Sequence, residues 1–141
     1  MDSIQEILRN IKKIAVVGYS HNPEKTSHTI AHRLNEEGYD VCAVNPTQGT
    51  AFGKPVYKRL EDVPQDVDSV VFFRPGEEIS NFLPALLQRK NLYHVWLQLG
   101  IKNEEVRAAM ETKGVKFVQD KCMAVELGAR GGLEAIRKST S

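Results

Sequence analysis

The sequence contains few of the features that would assign it to a specialised class of protein. Its only cysteines are Cys42 and Cys122, which form neither a disulfide framework nor a zinc site. Nineteen basic and eighteen acidic residues give a net charge of +1, so nothing in the charge balance indicates nucleic acid or an anionic membrane as a partner. No apolar run approaches the roughly 20 residues that span a bilayer, and residues 1–13 contain no run long enough for a signal peptide. We therefore expect a reduced, cytoplasmic setting.

Internal repeats, low-complexity tracts and linkers rich in Gly, Ser and Pro are also absent from the sequence. The 141 residues are enough for one domain with a full core. A hydrophobic fraction of 41% and a charged fraction of 26% are typical of a globular protein. We expect a single domain over residues 1–141.

Apolar segments alternate with amphipathic segments along the whole chain. The predicted strands are KIAVVG, YDVCAVNP, VDSVVFFRPG, HVWLQLG and VKFVQD. A short amphipathic helix is predicted at the N-terminus, and longer helices over SHTIAHRLNEEG, EEISNFLPALLQRKN and NEEVRAAMETKG. We expect Ser27 to cap the first of these three and Gly38 to stop it, Pro84 to interrupt the second, and Asn103 to cap the third. This alternation predicts an α/β domain, a three-layer Rossmann-like fold with a mostly parallel sheet.

The loop after the first strand has one glycine where a dinucleotide-binding protein has G-x-G-x-x-G. Gly18 lets a ligand approach the backbone closely, while Ser20 and Ser27 offer hydroxyl groups. Lys25 adds a cation, and the following helix adds N–H groups and the positive end of its dipole. Together these features suit a phosphate or pyrophosphate. The alternative is that Ser27 is an ordinary N-cap and Lys25 a solvated surface charge.

The ends of the next two strands bear on which nucleotide would bind. The second strand ends in Val44, Asn45 and Pro46, without the carboxylate that usually binds the ribose hydroxyls of NAD. This end suits an adenine ring better than a ribose diol. Arg74 follows the third strand as a second candidate contact for an anion. Alternatively, Arg74 is a surface residue that pairs with a neighbouring carboxylate, Glu77 or Glu78.

From about residue 11 to residue 126 the chain resembles the small stand-alone CoA-binding proteins with a Rossmann-like fold. The matching segments are IAVVGYSHNPEKTSH, GYDVCAVNP, GKPVYKRLEDVP, VVFFRPGEE, VWLQLGIKNEE and DKCMAVE. The chain is also similar in fold and loop placement to the CoA-binding domain of the succinyl-CoA synthetase α subunit. The resemblance implies that coenzyme A is the ligand.

The resemblance also implies roles for individual residues. Those implied for the phosphates are Gly18, Ser20, Lys25 and Ser27, and those for the adenine side are Val44, Asn45 and Pro46. Those implied for the border of the nucleotide are Arg74 and Pro75, and those for the pantetheine path are Gln98 and Gly100. The Pro75-Gly76 pair departs from relatives that have a polar or second basic residue after the arginine.

Catalytic signatures are absent from the sequence. It has no Ser-His-Asp order, paired-carboxylate signature or P-loop. His28 and His32 have the i, i+4 spacing of some metal pairs, but without H-E-x-x-H or an obvious third ligand we expect a solvent-facing helix surface. Cys122 lies beside Lys121, which would favour its thiolate, although a small buried thiol is the more common outcome.

The function predicted from the sequence is binding of coenzyme A or an acyl-CoA, without evident catalytic machinery. Two alternatives remain open at this point. One is a small enzyme that binds NAD(P), a sugar nucleotide or another adenine nucleotide. The other is a protein-interaction domain that has kept the fold and lost its ligand. The choice between free CoA and acyl-CoA, and the oligomeric state, are also left open.

Overall fold

The computed structural model of the protein describes residues 2–47 and 49–139. In chain order the strands are β1 (Lys13–Val17), β2 (Asp40–Val44), β3 (Thr50–Ala51), β4 (Lys54–Pro55), β5 (Ser69–Phe72), β6 (His94–Leu97) and β7 (Lys116–Val118). Five of them form one parallel sheet in the order β2-β1-β5-β6-β7, and β3 pairs with β4 in a small antiparallel ribbon. The predicted Rossmann-like α/β fold is confirmed.

Helices cover both faces of this sheet. They are α1 (Ser3–Asn10), α2 (Thr26–Glu37), α3 (Gly76–Ile79), α4 (Leu83–Leu87), α5 (Glu104–Lys113), α6 (Met123–Gly128) and α7 (Leu133–Lys138). In β1, Ile14 and Val16 belong to the core shared with α1, α2, α6 and α7, while Ala15 and Val17 belong to the core shared with α3, α4 and α5. Successive side chains of a strand point to opposite faces, and both faces are buried here, so the strands are apolar throughout.

Two of the predicted helix boundaries are confirmed and one is wrong. Gly38 ends α2 in the left-handed conformation at φ 119°, and the Asn103 side chain caps α5 by accepting from Val106 N at 2.9 Å. The prediction that Ser27 caps α2 is wrong. The helix begins at Thr26 with Lys25 at the N-cap position, and no side-chain cap is formed because a lysine side chain has no oxygen that could accept from the first N–H groups.

The predicted interruption at Pro84 is also observed. A 3-10 turn over Ser80–Phe82 separates α3 from α4, and Pro84 lies in the first turn of α4, where its missing N–H costs nothing. The third predicted strand, VDSVVFFRPG, is shorter in the structure, where β5 covers only Ser69–Phe72.

The sheet order places a topological switch point next to β1. The chain passes from β1 to β2 on one side and later returns to β5 on the other side of β1. In open α/β sheets, ligands bind outside the carboxyl ends of the strands at such a point. Over residues 2–47 and 49–139, no helix has the length and apolar character needed to cross a membrane.

Candidate functional site

A cavity of about 600 Å³ lies at the carboxyl ends of β1, β2 and β5. Six of the predicted site residues line it: Gly18, Ser20, Val44, Asn45, Pro46 and Arg74. Its other lining residues include Lys58, Arg59, Leu60, Glu61, Glu78, Asn81 and Phe82. Its volume is in the usual range for small-molecule sites, and it lies at the switch point of the sheet.

Gly18 lets the ends of β1 and β5 approach each other closely. Its φ is +90°, and a Cβ atom at this position would lie 3.0 Å from Arg74 Cδ and 3.3 Å from the Phe73 carbonyl. The Gly18 N–H donates to Val44 O at 3.1 Å, and the Phe73 N–H donates to Val17 O at 2.9 Å. A side chain at position 18 would therefore strain the backbone and displace the Arg74 side chain.

The loop that follows Gly18 is held by its own polar side chains. Ser20 Oγ accepts from Asn22 N at 3.1 Å, and Asn22 Oδ1 accepts from Glu24 N at 3.0 Å. The Ser20 hydroxyl hydrogen therefore remains available to a ligand oxygen. This loop leads into the first turn of α2, where the His28 N–H donates to Lys25 O at 3.1 Å and the N–H groups of Thr26 and Ser27 precede the first intrahelical bond.

Asn45 joins the first loop to the second. Its side-chain amide donates to Tyr19 O, and its Oδ1 accepts from Thr47 N at 2.6 Å. Its own N–H donates to Tyr57 O at 2.9 Å. These bonds fix the floor of the cavity between β1 and β2.

Arg74 forms the surface ion pair that was one of its two alternatives from the sequence, and its role as an anion contact stays a prediction. Its Nε and Nη2 donate to Glu78 Oε2 at 2.9 and 2.7 Å, so it forms the surface ion pair. The same side chain lines the cavity and is 46% exposed. An anionic ligand would therefore meet a guanidinium that a carboxylate already orients.

The other five predicted residues lie outside the cavity lining: Lys25, Ser27, Pro75, Gln98 and Gly100. Lys25 and Pro75 are exposed at the starts of α2 and α3, and Ser27 is buried in the first turn of α2. Gln98 is 4% exposed, and its Oε1 accepts from Met123 N at 3.3 Å. The Gly100 N–H donates to Asp120 Oδ1 at 2.7 Å. Whether these residues bind a ligand stays a prediction.

The expectation that His28 and His32 form a solvent-facing surface is wrong. Both are half-buried, with ring centroids 4.2 Å apart, and the His32 ring lies 4.6 Å from that of Phe52. His28 Nδ1 donates to Ser20 O at 2.9 Å, and the Tyr19 hydroxyl is 3.0 Å from His32 Nε2. Burial, followed by the nearby His28 charge, lowers the pKa of His32. The described residues contain no group of three or more metal-ligating side chains.

Sequence reasoning missed the cavity wall formed by residues 58–61. Tyr57 pairs with Val44 as an isolated parallel bridge, which extends the sheet beyond β2. This pairing brings Lys58 and Arg59 to the cavity. The signal in the sequence was two adjacent cations in YKRLE, but nothing local indicates that this segment lies against β2.

The two cysteines differ in environment. Cys42 lies within β2 and is 4% exposed, and burial raises the pKa of its thiol to about 11. Cys122 has intermediate exposure and directly precedes α6. Of the two thiols, Cys122 is therefore the more accessible to a reagent.

Comparison with known proteins gives consistent matches. The family described as "CoA binding domain" matches residues 12–128. The chain is similar to the Bacillus subtilis protein YneT, with 34% identity over 122 residues that cover 86% of this chain and 90% of that protein. A solved structure of a protein from Thermus thermophilus has 34% identity and a TM-score of 0.84, and covers 92% of this chain and 98% of that one.

A more distant relative is much longer than this chain. The acetate–CoA ligase (ADP-forming) I of Archaeoglobus fulgidus has 25% identity over 123 residues. The matched region covers 81% of this chain and 18% of the ligase.

Proposed function

This chain belongs to the CoA-binding domain family, and we propose that it binds coenzyme A or an acyl-CoA in the cavity at the carboxyl ends of β1, β2 and β5. The proposed location of the CoA site rests on one observation. The cavity of about 600 Å³ lies at the switch point of the sheet, with the Gly18 backbone and the Arg74 guanidinium at its edge. Backbone exposed at a positive-φ glycine, next to a cation, suits a pyrophosphate.

The phosphates are proposed to lie along the first loop. There the Ser20 hydroxyl has a free hydrogen and the first turn of α2 offers N–H groups. Lys25 and Ser27, at the start of α2, are assigned to the same phosphates, with Lys25 acting from the rim because it is exposed. Lysine is long and flexible enough for such a contact.

The adenine side is proposed to lie against the end of β2. Val44, Asn45 and Pro46 line the cavity there without a carboxylate. The Asn45 side chain is engaged by Tyr19 O and Thr47 N, so backbone and apolar surface supply the contact. Arg74 and the adjoining Pro75 border the nucleotide.

The pantetheine arm is proposed to run towards the end of β6. Gln98 and Gly100 lie there, and Gln98 Oε1 accepts from Met123 N at 3.3 Å, next to Cys122, whose exposure is intermediate. We further propose that residues 1–141 act as one cytoplasmic CoA-binding domain with no evident catalytic machinery.

Thermal unfolding with added ligands tests the proposed function. A ligand that binds only the folded state stabilises it by about 2.7 kcal/mol at one hundred times its Kd, a rise in Tm of about 10 °C for a domain of this size. We expect CoA or acetyl-CoA to give such a rise, and NAD and NADP to give little or none. A rise with NAD and none with either CoA species would contradict the proposal.

A further inference from the structure

Lys58 and Arg59 form what we call the basic wall of the cavity. They come directly after Tyr57, which is hydrogen-bonded to β2. The Tyr57 N–H donates to Ala43 O at 2.9 Å, and Tyr57 O accepts from Asn45 N at 2.9 Å. Tyr57 thus adds one strand position to the edge of the sheet. The basic wall therefore stands at the β2 side of the cavity.

A buried arginine holds this segment from behind. Arg89 is 2% exposed, and its guanidinium donates to Leu60 O at 3.4 Å, Val63 O at 3.3 Å and Pro64 O at 2.6 Å. Leu60, which comes directly after the basic wall, is itself 1% exposed. The backbone beneath the two cations is therefore anchored at both ends, which reduces the entropy lost when they bind an anion.

The two cations of the basic wall are paired with carboxylates less closely than Arg74, the cation on the other side of β1. Arg74 is already paired at short distance, whereas Arg59 Nη2 is 3.5 Å from an exposed Asp62 carboxylate. Lys58 has no ion-pair partner among the residues that the structure describes. Glu61 is the one further carboxylate on this wall of the cavity within the described chain. A dianionic group fits this wall.

In sheet order, Tyr57, which precedes the basic wall, is separated by β2 and β1 from β5, which precedes Arg74. Their backbone positions are therefore three strand spacings, or about 14 Å, apart. A cavity whose cations are separated in this way favours a ligand with two separate phosphate groups. CoA is such a ligand, with a diphosphate on the 5′ oxygen of its ribose and a monophosphate on the 3′ oxygen.

We propose that Lys58 and Arg59 bind the ribose 3′-phosphate of CoA and so select it over nucleotides that lack this group. This inference rests on the proposed function. It adds a specificity-determining contact in a segment that the sequence did not assign to the ligand.

Calorimetric titration of CoA and of 3′-dephospho-CoA tests this inference. The wild type should bind CoA about 10- to 100-fold more tightly than dephospho-CoA, the usual range for hydrogen bonds to charged groups. The Lys58→Ala/Arg59→Ala variant should lose most of this preference. Its affinity for CoA should fall by about the same factor while its affinity for dephospho-CoA stays as in the wild type.

A matched control separates local contacts from net charge. Lys90→Ala/Lys116→Ala removes two exposed cations next to the amino ends of β6 and β7, and should leave both affinities unchanged. Equal wild-type affinity for the two ligands would overturn the inference and leave the proposed function standing. An equal loss for both ligands in the Lys58→Ala/Arg59→Ala variant would also overturn it. Failure of the wild type to bind either ligand would overturn both proposals.

Discussion

His94 should make the stability of this protein depend on pH from about pH 6.5 downwards, before most carboxylates begin to titrate. The side chain is fully buried at the start of β6, and its Nδ1 shares a hydrogen bond of 2.7 Å with Ser69 Oγ. Burial lowers the pKa of His94 to about 3. In the unfolded chain a histidine has a pKa near 6.5.

The sign and size of the effect follow from these two pKa values. As the pH falls below about 6.5, the unfolded chain takes up a proton at His94 that the folded protein does not. The free energy of unfolding therefore decreases as pH falls, by about 1.4 kcal/mol per pH unit. Between pH 6.5 and pH 5 the loss from this one residue is about 2 kcal/mol, and it continues until the folded-state pKa is reached.

Urea unfolding at pH 5 and pH 7 measures this contribution. We expect the His94→Gln variant to lose about 2 kcal/mol less than the wild type between these pH values. His32, whose pKa is also lowered, should leave a smaller dependence of the same sign. Ser69→Ala is the matched control, because it removes the hydrogen bond and keeps the buried imidazole. If His94→Gln and the wild type lose the same stability, the assignment is wrong.

Three further predictions concern the cavity and the thiols. Arg74→Ala should weaken CoA binding by about 10- to 100-fold in calorimetry with little change in Tm, and an unchanged affinity would make this residue an ordinary surface charge. Gly18→Ala should lower the free energy of unfolding in urea by about 1–2 kcal/mol and also weaken CoA binding. Gly53 also has a positive φ but no atom near its missing side chain, so Gly53→Ala should lower stability without changing CoA binding. CoA disulfide should add one CoA to Cys122 and none to Cys42, as read from intact mass before and after reduction, and modification that persists in Cys122→Ser would contradict this.

The strands could be predicted from the sequence because burial on both faces leaves a continuous apolar run. Residues 14–17 and 41–44 are buried throughout, and each run ends where the chain reaches the cavity. The ends of α2 and α5 at Gly38 and Gly114 could also be predicted, because helices commonly end at a glycine in the left-handed conformation. Both glycines have positive φ in the structure. These signals are local, and a single sequence carries them.

The remaining features depend on which segments become neighbours. The contact between Gly18 and Arg74 exists because β5 lies next to β1, and the sequence does not give strand order. The spacing of His28 and His32 predicted a shared helix face but not that Tyr19 packs against it. The position of residues 57–61 against β2 likewise rests on backbone hydrogen bonds formed at long range.

Mapping CoA binding residue by residue with 15N-labelled protein tests the central claim most directly. If CoA binds at the switch point, its addition should shift the backbone amide resonances of Gly18, Ser20 and Asn45 in a saturable way. The amides of Lys13 and Asp66, which line a separate cavity of about 240 Å³ next to the amino end of β1, should not shift. Shifts confined to that second cavity, or no saturable shifts at all, would contradict the account.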